Sequence, residues 1–85
     1  MIIIYTSKFE KEYKSLSLDV KKAVEKKEAV FRKNPFDQSL NTHKLRGRLK
    51  EYWSWSVDYE YRIIFYLKNK KEAWFLSVGN HDIYY

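Results

Sequence analysis

Only His43 and His81 carry side chains whose ordinary titration falls near neutral pH. With no cysteine, no glycine-rich phosphate loop and no paired carboxylates at catalytic spacing, general acid and base work falls to these two imidazoles. His81 stands in Gly79-Asn80-His81-Asp82, directly after an apolar segment, where a polar group points toward an open face more often than into a core. A structural role for a lone histidine stays open. His43 shares the parity of Leu45 and is expected to face inward if a strand has already begun there.

Cations accompany the histidines. Arg62 interrupts the apolar run Tyr61-Arg62-Ile63-Ile64-Phe65-Tyr66-Leu67, where an uncompensated charge is costly. Either it holds a phosphate through its guanidinium fork, or it pairs with Asp58, Glu60 or Asp82. Lys44, Arg46, Arg48 and Lys50 fall at alternate positions with no acidic residue among them, so an extended chain places them on one side. Such a comb can neutralise several phosphates, with Leu45 and Leu49 anchoring its other side; the alternative is the wet face of a protected edge strand. Tyr84 and Tyr85 either stack on bases or close the last strand. The histidines and scattered carboxylates show none of the local ligand spacings of a metal site, so no metal or cofactor is expected.

The elements that must position these residues follow from composition and period. Eighty-five residues with 45% hydrophobic and 33% charged content describe a single domain over 1–85. The formal charge of +6 favours nucleic acid or an acidic protein as partner. No apolar run approaches the roughly 20 residues that span a bilayer, so a soluble, cytoplasmic protein without membrane contact is expected.

Met1 to Tyr5 reads as a first strand, buried on both faces or pinned at an edge. Ser7-Lys8-Phe9-Glu10 has capping-box spacing, and Phe9, Tyr13 and Leu16 form one stripe, predicting a helix over about 7–16. Asp19 is the expected cap of a second helix that buries Val20, Ala23, Val24, Val30 and Phe31 and stops at Asn34-Pro35. Trp53 to Asp58 alternates at period two, with the indoles of Trp53 and Trp55 on one side and assigned to the core. Tyr61 to Leu67 and Ala73 to Val78 are further strands joined by hairpin-sized connections. The fold class is α+β, in the order β-α-α-β-β-β: a helical hairpin on one face of a twisted, mainly antiparallel sheet whose other face is left open.

Leu45-x-Gly47 followed by Tyr52-Trp53-Ser54, then Tyr61-Arg62-Ile63-Ile64-Phe65, then Val78-Gly79-Asn80-His81-Asp82-Ile83-Tyr84, resembles the RelE/ParE superfamily of type II toxin–antitoxin toxins, especially RelE/StbE, YoeB and YafQ-like members. The resemblance spans almost the whole chain and is carried by the ordered combination. It implies a RelE-like fold and a metal-independent endoribonuclease that cuts messenger RNA in the ribosomal A site until a cognate antitoxin sequesters it. It also implies roles: Arg62 on the transition-state phosphate, His81 protonating the leaving 5′-oxygen, Tyr85 or Tyr84 positioning the substrate, and His43 as base where YoeB-like relatives carry a glutamate. Lys44, Arg46 and Arg48 would hold the RNA backbone. The lysines that RelE itself places on the strand reading Trp53-Ser54-Trp55 here are absent, and His81 stands where RelE has an arginine, so the YoeB- or YafQ-like site fits better. ParE-like members, which inhibit DNA gyrase and lack the acid–base residues, are the competing reading, and a degenerate module that only binds its antitoxin is another.

Overall fold

The computed structural model describes residues 1–80 and Ile83. The elements, in chain order, are β1 (Ile2–Tyr5), α1 (Ser7–Lys14), α2 (Leu18–Lys33), β2 (His43–Lys44), β3 (Trp53–Ser56), β4 (Arg62–Asn69) and β5 (Glu72–Gly79). Short 3-10 turns at Gln38–Leu40 and Gly47–Leu49 flank β2. The strands form one five-stranded sheet in the order β1-β5-β4-β3-β2, with β1 parallel to β5 and every other pair antiparallel. This is the expected α+β arrangement with one addition, the two-residue strand β2 at the edge. No helix among the described residues is long and apolar enough to cross a membrane.

Both helix starts lie upstream of the caps read from sequence. Thr6, not Ser7, caps α1: its extended backbone lets Oγ1 accept from Phe9 N at 3.2 Å while donating to Phe75 O at 2.9 Å. The hydroxyl that ends β1 therefore also starts α1. Ser17, not Asp19, caps α2 by accepting from Val20 N, and Asp19 sits in the first turn, where the helix dipole favours its charge. Helix α1 ends at Lys14, short of Leu16. At the other end of α2, Asn34 turns to extended backbone before Pro35, as the proline requires.

The helices cover one face of the sheet. Phe31, fully buried, is the hub, with ring centroids 5.0 Å from Phe65, 5.2 Å from Phe75 and 5.7 Å from Trp55. Burying such side chains contributes about 1.5–3 kcal/mol each. Trp55 is in the core as expected, but its Nε1 has no hydrogen-bond partner among the described residues, whereas Trp53 is half-buried at the rim against Phe36. Strand β1 is the pinned edge strand, with only Ile3 buried.

Beyond Phe75, β5 has lost β1 as a neighbour, and α1 supplies the replacement: the Glu12 carboxylate accepts from Val78 N at 3.1 Å and Ser77 Oγ at 2.8 Å. A side chain thus satisfies backbone that a strand would otherwise pair.

Candidate functional site

Pairing register decides which residues share the face away from the helices, because residues opposite one another in a sheet point the same way. Ile63, Phe65, Phe75 and Val78 take the core side, so their neighbours take the other. One row on this second face is Ser56, Arg62 and Gly79, and the next is His43, Ser54 and Ile64, whose β5 partner Ser77 turns its hydroxyl to Glu12 of α1. Arg62 and His43 stand two strands and one pleat repeat apart, on the order of 12 Å between Cα atoms. The face is not open throughout. Ser54 and Ile64 are buried, and Ile83 lies so close to Gly79 that any Cβ there would collide with it.

Among the described residues, Arg62 is met by backbone carbonyls and not by the carboxylates of Asp58 or Glu60; Asp82, the third expected partner, lies outside them. Arg62 Nη1 donates to the carbonyl oxygens of Asp58 (2.9 Å), Tyr61 (3.1 Å) and Tyr59 (3.2 Å) in the turn between β3 and β4. The salt bridge to Asp58 does not form because Asp58 Oδ1 is occupied by the backbone N–H groups of Glu60 and Tyr61 at 2.9 and 2.7 Å; Arg62 makes no ion pair with Glu60 either. Carbonyl dipoles solvate a guanidinium without cancelling its charge. Arg62 is fixed in direction and remains a cation, half-buried at the end of a central strand.

His43 corrects the expectation that it would face inward. It does begin β2, yet it is exposed, because it pairs with Ser54 while Trp53 and Trp55 take the helix side. Asn41, in the left-handed region at φ 52°, turns its carbonyl to within 3.1 Å of His43 Nδ1. Only a protonated Nδ1 makes that bond, so the neutral ring keeps its lone pair on Nε2, the tautomer a general base needs. Asn41 had no role in the sequence reading; its only signal there was a residue type that tolerates positive φ.

The cationic comb does not form. Lys44 lies in β2, but Gly47 adopts φ 68° and Gly47–Leu49 wind into a 3-10 turn that disperses Arg46, Arg48 and Lys50 around a loop. Lys44 points to the helix side, with Nζ 5.5 Å from the Trp53 ring centroid. All four cations are exposed, and Leu45 and Leu49 are the half-buried anchors expected of them. His43, Lys44, Leu45 and Arg46 line a shallow groove of about 490 Å³ at this edge. The acid and aromatic positions His81, Tyr84 and Tyr85 lie outside the described residues. Among those described, no three His, Asp or Glu side chains stand together as a metal site would require.

A second cleft, of about 480 Å³, lies between the helices and is lined by Tyr5, Phe9, Tyr13, Glu25, Glu28 and Arg32 among others. Arg32 and Glu28 are paired in it: Tyr5 Oη donates to Glu28 Oε2, and Arg32 Nη2 lies 3.3 Å from the same oxygen. Burial, and then the Glu28 carboxylate, pushes the Tyr5 phenol above its ordinary value.

No family model and no curated protein sequence matches the chain. Solved structures do. A YoeB/ParE toxin from Agrobacterium tumefaciens superposes with a TM-score of 0.78 at 15% identity, over 95% of this chain and 99% of its own. YafQ from E. coli strain BL21(DE3) gives 0.75 at 21% identity, over 98% of this chain and 96% of its own. An E. coli DinJ-YafQ complex gives 0.67 at 21% identity, over 95% of this chain and 93% of the matched chain. The chain has the fold of these toxins.

Proposed function

We propose that the chain is the toxin of a type II toxin–antitoxin pair and cleaves messenger RNA in the ribosomal A site by a metal-independent acid–base mechanism. The observation that carries this is the pairing register: it puts the exposed His43 imidazole and the Arg62 guanidinium, which has no carboxylate partner among the described residues, on adjacent rows of one sheet face. Shared fold with YoeB/ParE and YafQ toxins supports it.

In this reading His43 Nε2 takes the proton of a ribose 2′-hydroxyl, and the 2′-oxygen attacks the adjacent phosphorus. Arg62 stabilises the extra negative charge on the phosphoryl oxygens as it develops. The P–O5′ bond breaks, His81 donates a proton to the leaving 5′-oxygen, and the products are a 2′,3′-cyclic phosphate and a 5′-hydroxyl. Tyr85 positions the substrate, while Tyr84, Arg46 and Arg48 hold the backbone; Lys44, turned over Trp53 on the helix side, takes no part. Arg46 and Arg48 reach RNA as loop cations, not as a comb. The partner that restrains the activity is a cognate antitoxin, as DinJ is found in complex with YafQ.

The test is cleavage of a defined message on programmed ribosomes, with the product ends identified by mass spectrometry. A 2′,3′-cyclic phosphate end, resistance of a message carrying 2′-deoxyribose at the cut, and loss of cleavage and growth arrest in Arg62→Ala and His81→Ala are expected. Full toxicity of both variants removes the catalytic assignment. Intact message together with inhibited DNA supercoiling establishes the ParE-like alternative, and absence of any growth phenotype establishes a degenerate antitoxin-binding module.

A further inference from the structure

One step further along the same face, Ile4, Trp74 and Tyr66 stand directly opposite one another across β1, β5 and β4. Tyr52 extends the row, its ring edge-on to Tyr66 at 6.5 Å. Ile4 is 38% exposed, Tyr66 38% and Trp74 36%, with Ile2 beside them at 57%. Large apolar side chains aligned and left in water mark a binding surface. Cations bracket the row. Lys68, Lys70 and Lys71 are exposed at the β4–β5 hairpin tip, and Arg46, Arg48 and Lys50 are exposed on the loop whose backbone bonds, Leu45 N to Tyr52 O and Tyr52 N to Leu49 O, set Tyr52 in place. The Trp74 indole is held in one orientation: Nε1 donates to Glu72 Oε2 at 2.6 Å, and Lys68 lies 3.8 Å from that carboxylate.

We propose that this row is a stacking platform for the bases of single-stranded RNA flanking the cut, with the two groups of cations holding the phosphates on either side. The proposal rests on the nuclease reading and names where its substrate lies. Flat rings with π faces suit bases of any identity, and flanking cations suit the backbone that carries them. Tyr66 is four residues from Arg62 on the same strand, about 13 Å, so the platform takes nucleotides a short distance from the scissile phosphate. Fixing the Trp74 ring in advance reduces the entropy lost when a base stacks on it.

The experiment measures KM and kcat for message on programmed ribosomes, and affinity for a message oligoribonucleotide carrying 2′-deoxyribose at the cut. It compares wild type with Trp74→Ala, Tyr66→Ala, Trp74→Phe and, on the solvent side of α2, Lys22→Ala. Circular dichroism checks that each variant is folded. Trp74→Ala and Tyr66→Ala are expected to raise KM and weaken oligonucleotide binding on the order of tenfold or more, with kcat kept. Trp74→Phe keeps most of the affinity, and Lys22→Ala matches wild type. Unchanged KM and affinity in both alanine variants overturns the platform while leaving the nuclease standing. So does loss of binding only to an acidic partner protein, which assigns the row to that protein. Wild type that binds RNA through Trp74 without cutting message keeps the platform and removes the nuclease, whereas wild type that neither binds nor cuts RNA removes both.

Discussion

In the cleft between α1 and α2, Arg32 stands 3.3 Å from Glu28, the same carboxylate accepts from Tyr5, and Glu10, Lys14 and Glu25 also line the opening. On the opposite side of the sheet, Arg62 is met only by carbonyl oxygens among the described residues, and His43 shares its groove with Lys44 and Arg46 and no carboxylate. A guanidinium bonded to a carboxylate, as Arg32 is, has less left to offer an anionic ligand than one met, among the described residues, by carbonyl oxygens alone, as Arg62 is. The two sides also use aromatic rings differently. Under the helices Phe31, Phe65, Phe75 and Trp55 fill volume, and on the far side Trp74 and Tyr66 are spent on water.

Several substitutions separate these two economies. Phe31→Ala, which removes the hub of the packed side, is expected to destabilise the fold by about 3–5 kcal/mol, read as a shift in the denaturant midpoint; a loss below about 1 kcal/mol breaks the view that packing is concentrated there. Arg62→Lys keeps a charge and a donor for the turn carbonyls but loses the fork. It should leave the melting temperature near wild type while slowing message cleavage by about 10²–10³-fold in single-turnover assays. An equal loss of stability and activity would make Arg62 a structural residue.

Glu12→Ala leaves Val78 N without its acceptor on the side of β5 that β1 does not reach, and an equilibrium unfolding experiment should show a cost of about 1–3 kcal/mol. Faster amide exchange at Val78 than at Ile63 would accompany it. The smallest effect is at alkaline pH. Because burial and Glu28 raise the Tyr5 phenol above its ordinary value of 10.0, the neutral form is favoured in the folded state. Its contribution is complete below about pH 10 and is lost as pH rises through the folded value, so thermal melts between about pH 9 and 11 should fall more steeply for wild type than for Tyr5→Phe.

Much of this division was legible in the sequence. Helical spacing in Phe9, Tyr13, Val24 and Phe31 and alternation in Trp53 to Ser56 placed the core, and a charge inside the run from Tyr61 to Leu67 singled out Arg62. Its compensation was not legible, since the three carbonyls come from a turn whose shape is set by Asp58 capping Glu60 and Tyr61. The comb failed at a single residue, where Gly47 takes a positive φ that ends the extended chain. The helix starts moved to Thr6 and Ser17 because the hydroxyl at a strand end or a tight link is already extended and needs no new turn. Rows such as Ile4–Trp74–Tyr66 require register across β1, β5 and β4, which no periodicity within one segment contains.

Amide chemical shifts of the isotopically labelled protein, recorded while a message oligoribonucleotide with 2′-deoxyribose at the cut is added, bear most directly on the assignment of chemistry to the uncovered face. The expected result is a set of perturbations at His43, Ser54, Arg62 and Gly79, with Tyr5, Phe9 and Glu28 unmoved. Perturbations centred on the cleft between α1 and α2, with His43 and Arg62 silent, would contradict it.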